Sequence, residues 1–186
     1  MIRKALFLCL FLAASILCAG DQVVVNFDNA PTVQPDGIAI RLPKWETKGV
    51  VFALAHEPQQ SKAKGLLMFF THLSSKRKGI VCAMATEPIP VRATFPAPVS
   101  SVTLEMWGST GVPALLEAFD SGGQVIDRKS LDSVPGRKTP GEPVPVFTMT
   151  VSGKSIAYIQ FSGPREGEYL AADELRFTLA EDGKPQ

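Results

Sequence analysis

The stretch VTLEMWGSTGVPALLEAFDSGGQVIDRKS, residues 102–130, holds three short runs separated by Gly, Ser, Pro and Asp. Successive side chains on an extended chain point to opposite faces, so Val102, Leu104 and Met106 share one side of the first run and Thr103, Glu105 and Trp107 the other. No apolar spacing of helical period is sustained here. The stretch therefore predicts three strands, Val102–Trp107, Ala114–Phe119 and Gln124–Leu131. The turn AFDSGGQV between the last two has a local explanation: Asp120 can accept from backbone N–H groups of its own turn, and Gly122 or Gly123 supplies the positive φ of a tight connection.

The pattern continues in both directions. Val23–Phe27, Ile38–Leu42, Val50–Ala55, Leu66–Thr71, Ile80–Met84 and Val91–Phe95 precede it, and Val146–Val151, Ile156–Phe161 and Glu174–Leu179 follow. About a dozen such strands predict an all-β fold, a two-sheet antiparallel β-sandwich or a barrel, and not βαβ units. Pro88, Pro90, Pro96, Pro98, Pro113, Pro135, Pro140 and Pro143 fall between runs, where no ladder hydrogen bond is lost. Ser133–Pro145, rich in Pro and Gly, reads as a long exposed loop. The roughly 40 residues after it are fewer than a second sandwich needs, so residues 21–186 are expected to form one domain. Parity sends Ala157, Ile159, Phe161, Leu175, Phe177 and Leu179 inward, and Tyr158, Gln160, Glu174, Arg176 and Thr178 outward.

The chain begins with Arg3 and Lys4, an apolar run from Ala5 to Leu17, and small residues before Asp21. That order is the signature of a secretory signal peptide, residues 1–20, cut after Gly20. A secreted, extracellular or periplasmic protein is expected. Lipidation at Cys18 would want a small residue before it, and Leu17 stands there. No later stretch reaches the ~20 apolar residues of a membrane helix. Of three cysteines only Cys82 follows the signal segment, so no internal disulfide is expected, and the fold must rest on a packed core, for which roughly 165 residues suffice. Without Arg3 and Lys4 the 19 basic residues become 17, against 18 acidic ones. That balance gives no bulk charge for nucleic acid, and Lys76-Arg77-Lys78 reads as a solvated turn.

Pro98–Ser130, with its strand after PVSSV, its strand ending AFD, its glycine turn and its strand opening QV, resembles the middle of a galactose-binding-like jelly roll of secreted bacterial proteins, similar to carbohydrate-binding modules. VSGKSIAYIQFSG (Val151–Gly163) and ADELRF (Ala172–Phe177) resemble the closing strands, and NFDNAP and KGVVFAL the opening ones. The resemblance spans nearly all of the chain after residue 20, through short and largely structural motifs. It implies a jelly-roll sandwich.

Catalytic motifs fail when checked. His56-Glu57 lacks the histidine of a zinc-protease helix, since Gln60 stands there. Gly153-Lys154-Ser155 lacks a phosphate loop's first glycine, since Thr148 stands there. Gly108–Gly111 is one residue short of a nucleophile elbow. With only His56 and His72, a site of several histidines on zinc is excluded, while a mixed site with carboxylates is not. Asp173 and Glu174 diverge to opposite faces of a strand, so they cannot act together as glycosidase acid and base.

Asp173 shares parity with Leu175 and Phe177 and needs a partner at the core edge. Backbone N–H groups can serve. The resemblance implies another, a structural Ca2+ between an acid near the first strand and one opening the last, which would fall on Asp28 and Asp173 with backbone carbonyls completing the shell. For a ligand, an outward ring can stack on a sugar's apolar face while polar groups bond its hydroxyls. Trp107 with Glu105, and Tyr158 with Arg176, are the candidates, and Trp45 lies in an expected loop. The competing reading has Trp107 packed under a loop at the sandwich end. The expectation is an exported non-catalytic binding module for a glycan. Its alternative is a structural or adhesive protein that contacts a cell-surface protein and takes no small ligand.

Overall fold

The structure, a computed structural model, describes residues 21–28, 30, 40–57, 67–71, 78–81, 89–162 and 170–181. The expected signal segment and Cys82 lie outside them. The described residues form eleven strands and no α-helix: β1 (Gln22–Asn26), β2 (Ile40–Leu42), β3 (Lys44–Thr47), β4 (Val50–Leu54), β5 (Leu67–Thr71), β6 (Lys78–Val81), β7 (Val91–Gly108), β8 (Ala114–Phe119), β9 (Val125–Leu131), β10 (Phe147–Ser162) and β11 (Leu170–Leu179). Every pairing is antiparallel, in the order β2-β5-β6-β11-β7-β10-β8-β9, with β1 on β11 and the hairpin β3-β4 on β7.

Two long strands fold this ladder into two layers. Residues 91–94 of β7 pair with β4, while residues 99–108 pair with β11. Against β10 the register jumps at the same place, from Val99↔Ile156 to Thr94↔Tyr158. Pro96 and Pro98 lie in that gap. The chain therefore stays extended through both prolines, where the sequence placed a break, because no ladder donor is needed while the strand changes neighbours. On β10 the corner is Gly153-Lys154-Ser155, which joins the expected runs Val146–Val151 and Ile156–Phe161 into one strand.

The front sheet holds β3, β4, the first half of β7, the second half of β10, β8 and β9. The back sheet holds β2, β5, β6, β1, β11 and the other halves of β7 and β10. Phe52, Ala93, Ile159, Phe161, Leu116 and Ala118 from the front meet Val25, Val102, Leu104, Met106, Leu175 and Phe177 from the back in one buried core. Aromatic contacts cross the layers: Phe27 to Phe52 at 5.5 Å, Trp45 to Phe69 at 5.2 Å, and Phe95 to Phe177 at 5.0 Å. Each buried Phe contributes about 1.5–3 kcal/mol, which lets the core hold without a described disulfide.

The β8–β9 turn closes as its sequence implies. Asp120 Oδ1 accepts from the Gln124 N–H at 2.8 Å, and Gly123 has φ of 84°. The Ser133–Pro145 loop is pinned down, since Val134 is buried and exchanges backbone bonds with Gly111 and Val112 at 3.0 and 2.7 Å.

Candidate functional site

The pairing register sets two rows of side chains across the outer surface of the front sheet. One runs Glu46, Val51, Thr94, Tyr158, Phe119, Val125; the next runs Lys44, Ala53, Arg92, Gln160, Glu117, Arg128. Their neighbours in sequence, Phe52, Ala93, Ile159 and Ala118, are buried on the other side. Six strands at about 4.8 Å make this face roughly 24 Å wide.

Its centre is a three-member stack. Phe119 and Tyr158, directly opposed on β8 and β10, lie 4.8 Å apart with planes 8° from parallel. Arg92, on the strand flanking β10 on the other side, places its guanidinium carbon 4.5 Å from the Tyr158 ring centroid. A guanidinium over a π-face is attractive, and it fixes a long side chain that would otherwise sweep through solvent. Arg92 Nε is buried with no hydrogen-bond partner among the described residues. Gln160 is the register partner of Arg92. The next acid, Glu117, is clasped by Arg128 through Nη2 at 2.6 Å and Nε at 2.8 Å. The face thus offers a rigid, half-exposed surface of amide, guanidinium and small apolar groups, which suits a ligand with many hydroxyls and apolar patches between them.

The expected site residues do not assemble as the sequence suggested. Trp107 is fully buried, so it is no ligand platform. It points away from the main core, and both its register partner Ala171 and nearby Gly79 are small; a Cβ on Gly79 would stand 3.4 Å from Trp107 Cζ2. Trp107 is packed, and its described neighbours are strand residues of β11 and β6. Tyr158 is outward, but its two ring faces are taken by Phe119 and Arg92, leaving its edge and hydroxyl. Arg176 is not its neighbour: it lies on the back sheet, where its guanidinium bonds Glu105 at 3.0 Å and pairs with Glu174. Trp45 belongs to β3 and packs on Phe27, Phe52 and Phe69.

Asp173 is a bulged residue. Ala172 opposes Met106 and Glu174 opposes Glu105, so β11 carries one extra residue between them. On its other edge β11 changes neighbour at the same point, from β6 to β1. Asp28 lies two residues past Asn26, the partner of Glu174, and accepts from the Asn26 amide at 3.2 Å. The two acids thus stand at the same end of the β1–β11 pair. Among the described residues no group of three or more His, Cys, Asp or Glu side chains is placed to hold a metal; a cation between Asp28 and Asp173 would need carbonyl oxygens for most of its shell.

Sequence reasoning missed Arg92, Phe119 and Gln160 as a group. Parity already made Gln160 outward, and the same rule applied to Val91–Phe95 and Ala114–Phe119 puts Arg92 and Phe119 on that side. What no local pattern carries is that β7, β10 and β8 are neighbours.

No protein-family model matches the chain, and no curated protein matches it. Solved structures do. Its structural neighbours include carbohydrate-binding modules. TmCBM61, solved with β-1,4-galactotriose, aligns at TM-score 0.35 and 14% identity over 77% of this chain and 89% of that one. A family 29 carbohydrate-binding module with mannohexaose aligns at 0.38 and 10% over 87% and 93%. An arabinose-bound α-L-arabinofuranosidase aligns at 0.42 and 9% over 70% of this chain and only 23% of its own.

A hollow of about 440 Å³ also opens beside the long loop, lined by Ser109, Thr110, Gly136, Arg137 and Pro145 among others. No helix among the described residues is long and apolar enough to cross a membrane.

Proposed function

We propose that the protein is an exported, non-catalytic binding module whose outer front face takes a glycan. The observation that carries the reading is the cluster of Arg92, Gln160 and the stacked Tyr158–Phe119 pair, on two adjacent rows across neighbouring strands. These groups are held by the sheet and by one another, so little side-chain entropy is lost on binding. Export is supported by the Arg3-Lys4 start and the apolar run behind it. The non-catalytic reading is supported by Glu117, Glu105 and Glu174, each of which an arginine holds.

A glycan array followed by calorimetry tests this, with Gln160→Ala and Arg92→Ala beside the wild type. Weak binding in the wild type that each variant cuts about tenfold, with unchanged circular dichroism, is the expected result. Absence of any glycan signal at millimolar ligand, together with recovery of a stoichiometric protein partner, would instead establish an adhesive protein.

A structural Ca2+ between Asp28 and Asp173 belongs to the same proposal. It is supported by their common position at the end of the β1–β11 pair. Calcium in place of chelator should then raise the melting temperature, and Asp173→Asn should erase the rise; equal melting in both would discard the cation.

A further inference from the structure

We propose that the front face selects an acidic glycan, a uronate whose carboxylate docks on Arg92. The inference rests on the binding reading above and names its ligand class.

The other paired cations on and beside this face already have acids. Arg128 holds Glu117, and Lys129 reaches Asp127 at 3.5 Å. Arg92 is different: among the described residues no carboxylate pairs with it, and its guanidinium lies over the Tyr158 ring. Arg92 as a whole is half-buried, so an anion approaching the open face meets its charge without having to displace an acid. An ammonium would be a mobile point charge. A guanidinium is a planar fork that matches a carboxylate with two parallel N–H donors, and here stacking fixes that fork in advance.

The neighbours suit the same ligand. On one side Gln160, the register partner of Arg92, offers an amide for the hydroxyl beside a sugar carboxylate. On the other side Ala53 is the register partner, too small to fill the space, and beyond it stands exposed Lys44. A ring lying over Ala53 therefore has a cation on either hand. Glu117 is one strand further than Gln160, and Arg128 holds it. Glu46, two residues along β3 from Lys44, confines the positive region to the middle of the face.

Titration calorimetry should use oligomers of galacturonate and of mannuronate, the methyl esters of both, and neutral galactose oligomers. The uronates should bind the wild type about tenfold tighter than their esters. Arg92→Gln should bring acid and ester to the same affinity, and Arg92→Lys should restore only part of the difference. Lys44→Gln, an exposed change at the sheet margin, should weaken uronate binding about threefold and leave the esters alone, which keeps the test valid if the Arg92 variants fold poorly. Esters or neutral oligomers binding as well as the acids would overturn the uronate inference and leave glycan binding standing. Binding of none of these oligomers would overturn the uronate inference, and the glycan array then decides whether the face binds any glycan.

Discussion

Phe119 backs Tyr158 at 4.8 Å, and Tyr158 in turn carries the Arg92 guanidinium, so the position of a cation on β7 depends on a ring two strands away on β8. Phe119→Ala is half-buried, and its cost combines lost apolar area with a lost ring pair, about 1–3 kcal/mol in total. For a domain of this size that lowers the melting temperature by roughly 3–8 °C. Glycan affinity should fall as well, because Tyr158 and Arg92 gain freedom, whereas Phe119→Tyr should preserve both. Scanning calorimetry and binding on the same samples check the coupling; stability lost with affinity untouched would uncouple the stack from the site.

Edge strand β9 is fastened by a charge. Asp127 Oδ2 accepts from the Ser152 N–H at 2.9 Å, at the corner of β10, and Oδ1 from the Arg128 N–H at 2.8 Å. The Ser152 bond, then the Arg128 N–H and nearby Lys129, hold the Asp127 carboxyl below its ordinary value in spite of some desolvation. A pKa depressed on folding contributes stability above the ordinary aspartate value of about 3.9, and that contribution is lost as pH falls below it toward the folded value. Asp127→Asn should therefore be less stable than wild type at pH 7, by about 1 kcal/mol after solvent screening, and the two should converge in acid. Melting curves at several pH values measure this; a gap that persists at pH 2 would assign the effect to packing.

Trp107 is the side chain whose fate decides between a ligand platform and a wedge in the back sheet. Its full burial beside Ala171 and Gly79 predicts that Trp107→Ala costs about 3–5 kcal/mol. Gly79→Ala would set a methyl 2.9 Å from the Ala171 Cβ and 3.0 Å from the Ala172 carbonyl oxygen, which costs about 1–3 kcal/mol. Neither site touches the front face, so folded Trp107→Phe protein should bind glycan as the wild type does. Denaturant unfolding and calorimetry on that variant check both halves.

The sequence rendered strands and faces well because alternation is local. Val102, Leu104 and Met106 are buried, as are Leu175 and Phe177, and Tyr158 and Gln160 point outward. It failed where the physics is not local. The bulge at Asp173 interrupts the parity that puts it at the core edge, and it arises where β11 trades one neighbour for another. Trp107 obeys parity yet is buried, because small residues on two other strands make room for it. β3 was invisible because Trp45 pairs with strand residues on only four positions before the Lys48–Gly49 turn, where both φ values are positive. The site itself is a property of strand order: Arg92, Tyr158 and Phe119 are separated by long stretches of chain and meet because β7, β10 and β8 are adjacent.

Arg176 answers a problem created by the back-sheet register. Glu174 and Glu105 are direct cross-strand partners, and like charges so placed repel. Arg176, one outward position along β11, bonds Glu105 and pairs with Glu174. All three side chains are partly solvated, which holds the net value of the cluster to about 1 kcal/mol. Arg176→Met should therefore destabilise by about that much, and adding Glu174→Gln should recover most of it, since the second change removes the repulsion that the first exposes. Glu105→Gln in the wild-type background should be nearly neutral. None of these changes should alter glycan affinity, because Glu105 and Arg176 stand on the sheet opposite Arg92 and Tyr158. A double-mutant cycle read by denaturant unfolding gives the coupling, and calorimetry on the Arg176→Met protein gives the rest: a loss of glycan binding there would move the site to the back sheet.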